Sequence, residues 1–389
     1  MKIKIDKSQI CIFLALLALL FILYHFSAMN LKDDIRMHAE KTIKMWSGEI
    51  SVEGNFIFYL LSGIFSLFST NISYTINAIC GILAIASVCR FFIVQKEISS
   101  INLYENEKKN CWFSTLIGIS LLFISSIPIP VLLKKGYLYL GTFVPNVWHN
   151  STTILLFPFA ILLFIESYKQ IQNYQTKRNW LLIALIFVNI FIKPNFFLVF
   201  ACIYPLMMLR KYKFSKIFWS SLVPIVVGSI FLIIEYLAIY IFADTRIETE
   251  EKSSIGICFL CLFRANGSYL DLPISIIFSL LFPFIYTIWN YKRLKGNLRY
   301  WYAFYLLIPA FLIYLLLVEE GPTMWHGNFY WQIVICIWIC FFESLKALIR
   351  DIKEEGLIRK NKILSALYVL HIITGICYVI RIITIGTYW

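Results

Sequence analysis

The chain is short of charge. Of its 389 residues 15% are Asp, Glu, Lys or Arg, where a soluble domain carries about 25%. No long hydrophilic stretch is present to fold as a separate soluble domain, so residues 1–389 read as a single polytopic domain. The period-two alternation of an outer-membrane barrel is missing, which leaves helices as the spanning elements. No basic–aromatic nucleic-acid module occurs, so the net charge of +13 does not mark an RNA or DNA binder. The ten cysteines fall mostly singly within apolar runs, where they behave as small hydrophobes. One CFLC pair, Cys258 and Cys261, is too little to specify a metal or redox centre.

What the chain does have is apolar length. Hydrophobic residues make up 60% of it and mean hydropathy is +0.76, with repeated runs long enough to cross a bilayer. Apolar runs starting near residues 10, 72, 111, 151, 179, 194, 217, 270, 300, 328 and 363 predict an all-α integral membrane fold of about eleven transmembrane helices. The first run follows MKIKIDK and lacks a small-residue cleavage site, so it reads as an uncleaved helix.

Segment 51–69 decides the topology. Counted as a full span, it would invert every later loop. Read as a helix dipping in from the outer face, it places 24 of the 35 Lys and Arg residues on one side, in the N-terminus, 90–110, 169–178, 210–216, 291–299 and 346–362. By the positive-inside rule that side is cytoplasmic, with the N-terminus there and the chain in the inner (plasma) membrane. Segments 30–54, 134–150, 244–269 and 318–327 then share the outer face, with external juxtamembrane helices over 30–70.

On that face, 31–47 predicts an amphipathic helix with Ile35, Ala39, Ile43 and Trp46 as its apolar stripe. Asp34 and His38 stand four apart on one side of it, and a carboxylate beside an imidazole can serve as a general-base pair. A solvated i,i+4 pair is the plainer reading. In GYLYLGTFVPNVWHNSTT, Trp148, His149 and Asn150 precede a span that Asn150 or Ser151 can cap. Such a helix start can receive a phosphate, although an interfacial aromatic belt has the same composition. Lys193 lies in a short turn broken by Pro194, where a cation near lipid needs a partner or snorkels outward. VEEGPTMWHGNFYW pairs two carboxylates, of which Glu320 is the candidate, with His326 and Asn328 among aromatic rings suited to a sugar or headgroup, although a turn with interface aromatics has the same composition. Arg264 adds a cation that can read phosphate. Glu235 is the ionisable residue deep inside a span, and reads as a neutral carboxyl in helix packing.

The order of a first span, an external Asp-bearing segment (Asp34-Ile-Arg-Met-His38), a dipping segment with Asn55 to Tyr59, then YLGTFVPNVWHNSTT, Lys193-Pro-Asn195 and His326-Gly-Asn328-Phe resembles the glycosyltransferase-C (GT-C) superfamily. The likeness is architectural, and its motifs are short. It implies a membrane glycosyltransferase in envelope polysaccharide or glycoconjugate assembly. The donor would be a polyprenyl-linked sugar, and the acceptor a glycan or lipid-linked molecule at the outer face of the membrane lipid. Asp34 would be the base that deprotonates an acceptor hydroxyl, with Asp33 the second choice. Lys193 and Arg264 would hold the donor phosphate, and His38, His149 and His326 would position substrates or water. A divalent metal ion suits this chemistry, but no residue pattern demands one. A polysaccharide polymerase or ligase, a flippase of lipid-linked sugars, and a non-catalytic scaffold are the alternatives.

Overall fold

A computed structural model describes residues 7–31, 34–52, 54–128, 143–241, 254–261, 263, 271–321, 324 and 327–385. Helices account for most of it: α1 (Lys7–Asn30), α2 (Asp34–Trp46), α3 (Phe56–Phe65), α4 (Ile72–Ser99), α5 (Glu107–Phe123), α6 (Ser151–Gln172), α7 (Arg178–Ile192), α8 (Asn195–Tyr212), α9 (Lys216–Ser221) and α10 (Val223–Tyr236). After a π-helical turn at Leu237–Ile241 come β1 (Ser254–Ile257), α11 (Asp271–Ser279), α12 (Leu281–Leu294), α13 (Leu298–Leu316), β2 (Leu317–Glu320), α14 (Trp331–Glu355) and α15 (Arg359–Ile385).

Side-chain caps start several of these helices. Asn71, Asn106, Asn150 and Asn297 each accept a hydrogen bond from a backbone N–H two or three residues on, which satisfies donors that a helix start leaves open. Gly356, with φ of +74°, ends α14 in a conformation that only glycine adopts cheaply.

The core is built around α14, buried on all sides from Trp331 to Ile349. A helix apolar on every face belongs at the centre, and α14 packs against α6, α8, α12, α13 and α15. At the α5–α15 contact, the His371 carbonyl accepts from Ser125 N–H and the His371 ring faces the Ser125 carbonyl at 2.7 Å.

Among the described residues, seven helices are long and apolar enough to cross a membrane, or eight if the pair α11–α12, bent by 75°, is one span. The protein is therefore a multi-pass membrane protein. The expected eleven is not reached on this criterion: α5 and α7 have 17 and 15 residues, and α8 contains Pro205 and ends in Arg210 and Lys211. With ten residues, α3 rises about 15 Å, half a hydrocarbon core of about 30 Å.

Two features depart from the expectation. The buried face of α2 is Ile35, His38, Ala39, Thr42 and Met45, while Trp46 is partly exposed and donates Nε1–H to the Tyr59 carbonyl at 3.1 Å. The stripe rotates because α2 packs on α3 and α4, so a small hydroxyl fits inward better than an indole. Second, the fold is not wholly α: β1 and β2 form an antiparallel ribbon with Ser254 opposite Glu320 and Ile257 opposite Leu317.

The loops gather at two ends. At one, Glu97 pairs with Arg299 and Lys346, Lys353 donates to the Ile101 carbonyl, and Gln170 donates to Asn179. At the other meet α2, the segment 143–150, the α7–α8 turn, the β ribbon and residues 327–332. Among the described residues, each end draws on one of the two sets of segments that the Lys and Arg pattern separates.

Candidate functional site

The second end is organised by breaks in helices. Pro194 cannot donate a backbone hydrogen bond, so α7 stops at Ile192 and α8 starts at Asn195. Lys193 is left extended between them, with its side chain 8% exposed. Its ammonium donates to Asn150 Oδ1 at 2.9 Å and to Thr152 Oγ1 at 3.1 Å, and stands 5.1 Å from the Trp331 ring centroid. A buried cation is thus met by two oxygens and a π face.

Asn150 joins this cation to Asp34. Its Oδ1 accepts from Lys193, from Thr153 N–H at 3.1 Å and from the Thr153 hydroxyl at 2.5 Å. Only the amide oxygen can accept from an ammonium and a helix N–H, so the amide orientation is determined. Nδ2 must then point the other way, and it donates to Asp34 Oδ2 at 2.9 Å. The half-buried Asp34 carboxylate at the start of α2 is thereby aimed by a residue of α6's cap and an ion of the α7–α8 turn.

A second polar chain approaches from the far side. Asn195 Nδ2–H donates to the Asn328 carbonyl at 2.6 Å and to Gln332 Oε1 at 2.9 Å. Asn328 Nδ2–H donates in turn to Glu319 Oε2 at 2.8 Å. The carboxylates of Asp34 and Glu319 both act on Lys193 and oppose the larger effect of burial, which lowers its pKa from 10.5 to about 8.

The two histidines stay neutral at physiological pH. Burial, then the Lys193 charge, then Lys41 push His38 down to about 3, and burial with Lys193 pushes His149 down to about 4. His38 Nδ1 is 2.9 Å from the Tyr59 hydroxyl, and its ring packs on Phe58. His149 meets Trp331 edge to face at 5.6 Å. His38 faces the protein, as its place beside the stripe predicts. Asp34 accepts from Asn150 whereas His38 Nδ1 faces the Tyr59 hydroxyl, and an imidazole with so low a pKa is a weak base.

The structure therefore brings Asp34, His38, His149, Asn150, Lys193, Asn195 and Asn328 to one end of the bundle. Trp148 is separated from them: its ring packs inward on Tyr24 and Phe123, because alternate side chains of the extended segment point opposite ways. Lys193, expected to hold a phosphate, is already engaged by Asn150 and Thr152. Glu320 lies on the exposed side of β2, accepting from the Ser254 hydroxyl, while Glu319 turns inward. Asp33, Arg264 and His326 lie outside the described residues. Glu319, Thr152, Gln332 and Tyr59 were not among the expected site residues. Strand alternation in LVEE would have separated Glu319 from Glu320, and Gln332 follows Asn328 by one helical turn.

Among the described residues no group of three or more His, Cys, Asp or Glu side chains could hold a metal ion, so no ligand set is assigned. Glu235 is buried beside Gly54, and its Oε1 has no hydrogen-bond partner among the described residues. The sulfurs of Cys258 and Cys261 face each other beyond the ribbon. The Asp34 end thus offers one oriented carboxylate, a buried ammonium behind it, two neutral imidazoles and a set of amides suited to hydroxyl groups. Compared with protein-family models, curated proteins and solved structures, the chain has no match.

Proposed function

We propose that this protein is a membrane glycosyltransferase of GT-C-like architecture, moving a sugar from a polyprenyl-phosphate-type donor to an acceptor hydroxyl at the Asp34 end of the bundle. The observation that carries the reading is the chain Lys193–Asn150–Asp34, which fixes a carboxylate at one end of the bundle. Asp34 accepts the hydroxyl proton as the acceptor oxygen attacks the anomeric carbon. The bond from that carbon to the donor phosphate oxygen breaks, and the lipid phosphate leaves with the electron pair. Lys193 acts from behind, holding Asn150 and adding positive charge where negative charge develops. Asn195, Asn328 and Glu319 supply hydrogen-bonding groups for sugar hydroxyls.

In this reading α5, α7 and α8, each joining the two ends of the bundle, complete eleven passes, and α3 dips into the outer face without crossing. The Lys- and Arg-rich end faces the cytoplasm with the N-terminus of α1, and the Asp34 end lies outside the inner membrane.

Purified protein offered a panel of polyprenyl-phosphate sugars tests the reading. Transfer by the wild type should fall by about 10²-fold or more in Asp34→Asn, the usual contribution of a positioned base. Undiminished transfer by Asp34→Asn would remove Asp34 as the base, and no transfer from any donor would remove the glycosyltransferase. Single cysteines at Ser51 and Glu105 should react with an impermeant reagent from outside the cell at 51 and not at 105. The reverse pattern would overturn the orientation.

A further inference from the structure

The other end of the bundle carries a cavity that the transferase reading does not use. Lys346, Arg350 and Lys353 follow one another at i, i+4 and i+7 along α14 and so share one face. Their environments differ. Lys346 is 2% exposed and sits between Glu97 and Glu343. Arg350 is the first exposed residue of α14, at the point where the central helix leaves the core, and it makes no hydrogen bond or ion pair with a described residue. Lys353 gives one N–H to the Ile101 carbonyl at 2.7 Å.

Between Arg350, Lys353, Glu354 and the α4–α5 turn at Ser100 and Ile101 lies a half-open cavity of about 390 Å³. The acids nearby are committed elsewhere: Glu354 pairs with Arg293, and Glu97 with Lys346 and Arg299. The lining carboxylate, Glu354, is thus held by Arg293, which leaves Arg350 and Lys353 without an ion pair to a described residue. Neutralising the carbonyl end of α4 is the ordinary task of a lysine here, and Lys353 performs it together with Asn110, which donates to the Ser99 carbonyl. That task leaves the Arg350 guanidinium and the cavity beside it unexplained.

We propose that this cavity binds a phosphate-bearing anion, held by the Arg350 fork with Lys353 as a second charge. Guanidinium matches phosphate oxygens in pairs, and the volume is that of a small-ligand site, large enough for a headgroup or a diphosphate. A basic pocket among helix ends on the Lys- and Arg-rich side suits anionic lipid headgroups, and a soluble phosphate compound presents the same oxygens.

The test uses the full-length protein in a neutral detergent with two probes. Inorganic pyrophosphate is titrated by calorimetry, and phosphatidylglycerol is compared with phosphatidylcholine in lipid nanodiscs by the shift in unfolding midpoint. At least one anionic probe should bind the wild type, and which one does identifies the source as lipid or soluble. Arg350→Gln, which breaks no hydrogen bond or ion pair with a described residue, should weaken that binding about tenfold or more, the worth of a charge-assisted contact. Arg350→Lys should retain part of it. Lys177→Gln, an exposed lysine at the same end, should bind as the wild type does. The proposal is overturned if neither probe binds, if Arg350→Gln binds undiminished, or if Lys177→Gln loses as much as Arg350→Gln.

Discussion

Asn150 Nδ2–H donates to Asp34 Oδ2 at 2.9 Å across 116 positions of the chain. The same amide, through its oxygen, caps α6 and receives the Lys193 ammonium. One side chain thus couples a carboxylate, a buried cation and a helix start. Asn150→Ala removes the cap, which costs about 0.5–2 kcal/mol. It also strips an acceptor from buried Lys193, about 1–3 kcal/mol more. The unfolding midpoint of purified protein should fall well beyond that of an Asn106→Ala variant, whose cap touches no ion.

Lys193 carries a pH signature. Its pKa is about 8 in the folded protein against an ordinary 10.5, so between those values the unfolded chain holds the additional proton. Stability linked to Lys193 therefore rises with pH from about 8 to 10.5, and the cost of burying its charge is felt in full below 8. Lys193→Met lacks this window. The difference in midpoint between wild type and variant should move in favour of the wild type between pH 8 and 10, and a constant difference would count against the depressed pKa.

The two histidines act at the acid side. Their folded pKa values of about 3 for His38 and about 4 for His149 lie below the ordinary 6.5. The stability they contribute is present above pH 6.5 and is lost as pH falls through that range, because the unfolded chain takes up the protons first. A His38→Gln, His149→Gln chain should start less stable at pH 7 and lose less between pH 7 and pH 5, as read from unfolding midpoints.

Adjacent carboxylates in β2 should behave differently. Glu319→Gln removes one of two acids that hold up the Lys193 pKa, so the alkaline window should shift to lower pH. Transfer activity should fall with it. Glu320→Gln changes an exposed side chain beside Ser254 and Gly256 and should alter stability by less than about 0.5 kcal/mol.

Helix contact gives a pair with opposite signs. A Cβ on Gly375 would overlap the Phe123 carbonyl oxygen, whereas a Cβ on Gly81 in α4 meets nothing within 4 Å. Gly375→Ala should cost about 1–3 kcal/mol as α5 and α15 are forced apart. Gly81→Ala should be neutral or stabilising by up to about 1 kcal/mol. Unfolding midpoints of the two variants should therefore fall on opposite sides of the wild type, or Gly81→Ala level with it.

Some elements of the site were legible before the fold. Pro194 announces the break that leaves Lys193 in a turn, Asn150 reads as a cap, and His38 lies beside an apolar stripe. Each of these depends on neighbours within about four residues. The partners of Asp34 and His38 were not legible, because i,i+4 spacing shows which side chains are adjacent on a helix and not which nearby protein group competes for them. Tyr59 and Asn150 win that competition here. Glu319 and Glu320 read as a pair of carboxylates, and which of them turns inward depends on how β2 pairs with β1.

Composition and apolar run length determined by themselves that this is a helical multi-pass membrane protein, since the cost of charge and of unpaired backbone in lipid acts on any chain whatever its packing. Only the tertiary structure decided that Lys193, Asn150 and Asp34 form one connected group, that Trp148 turns into the core, and that Arg350 is left without a carboxylate beside a cavity. Those outcomes depend on distances between segments far apart in sequence, which packing around α14 sets.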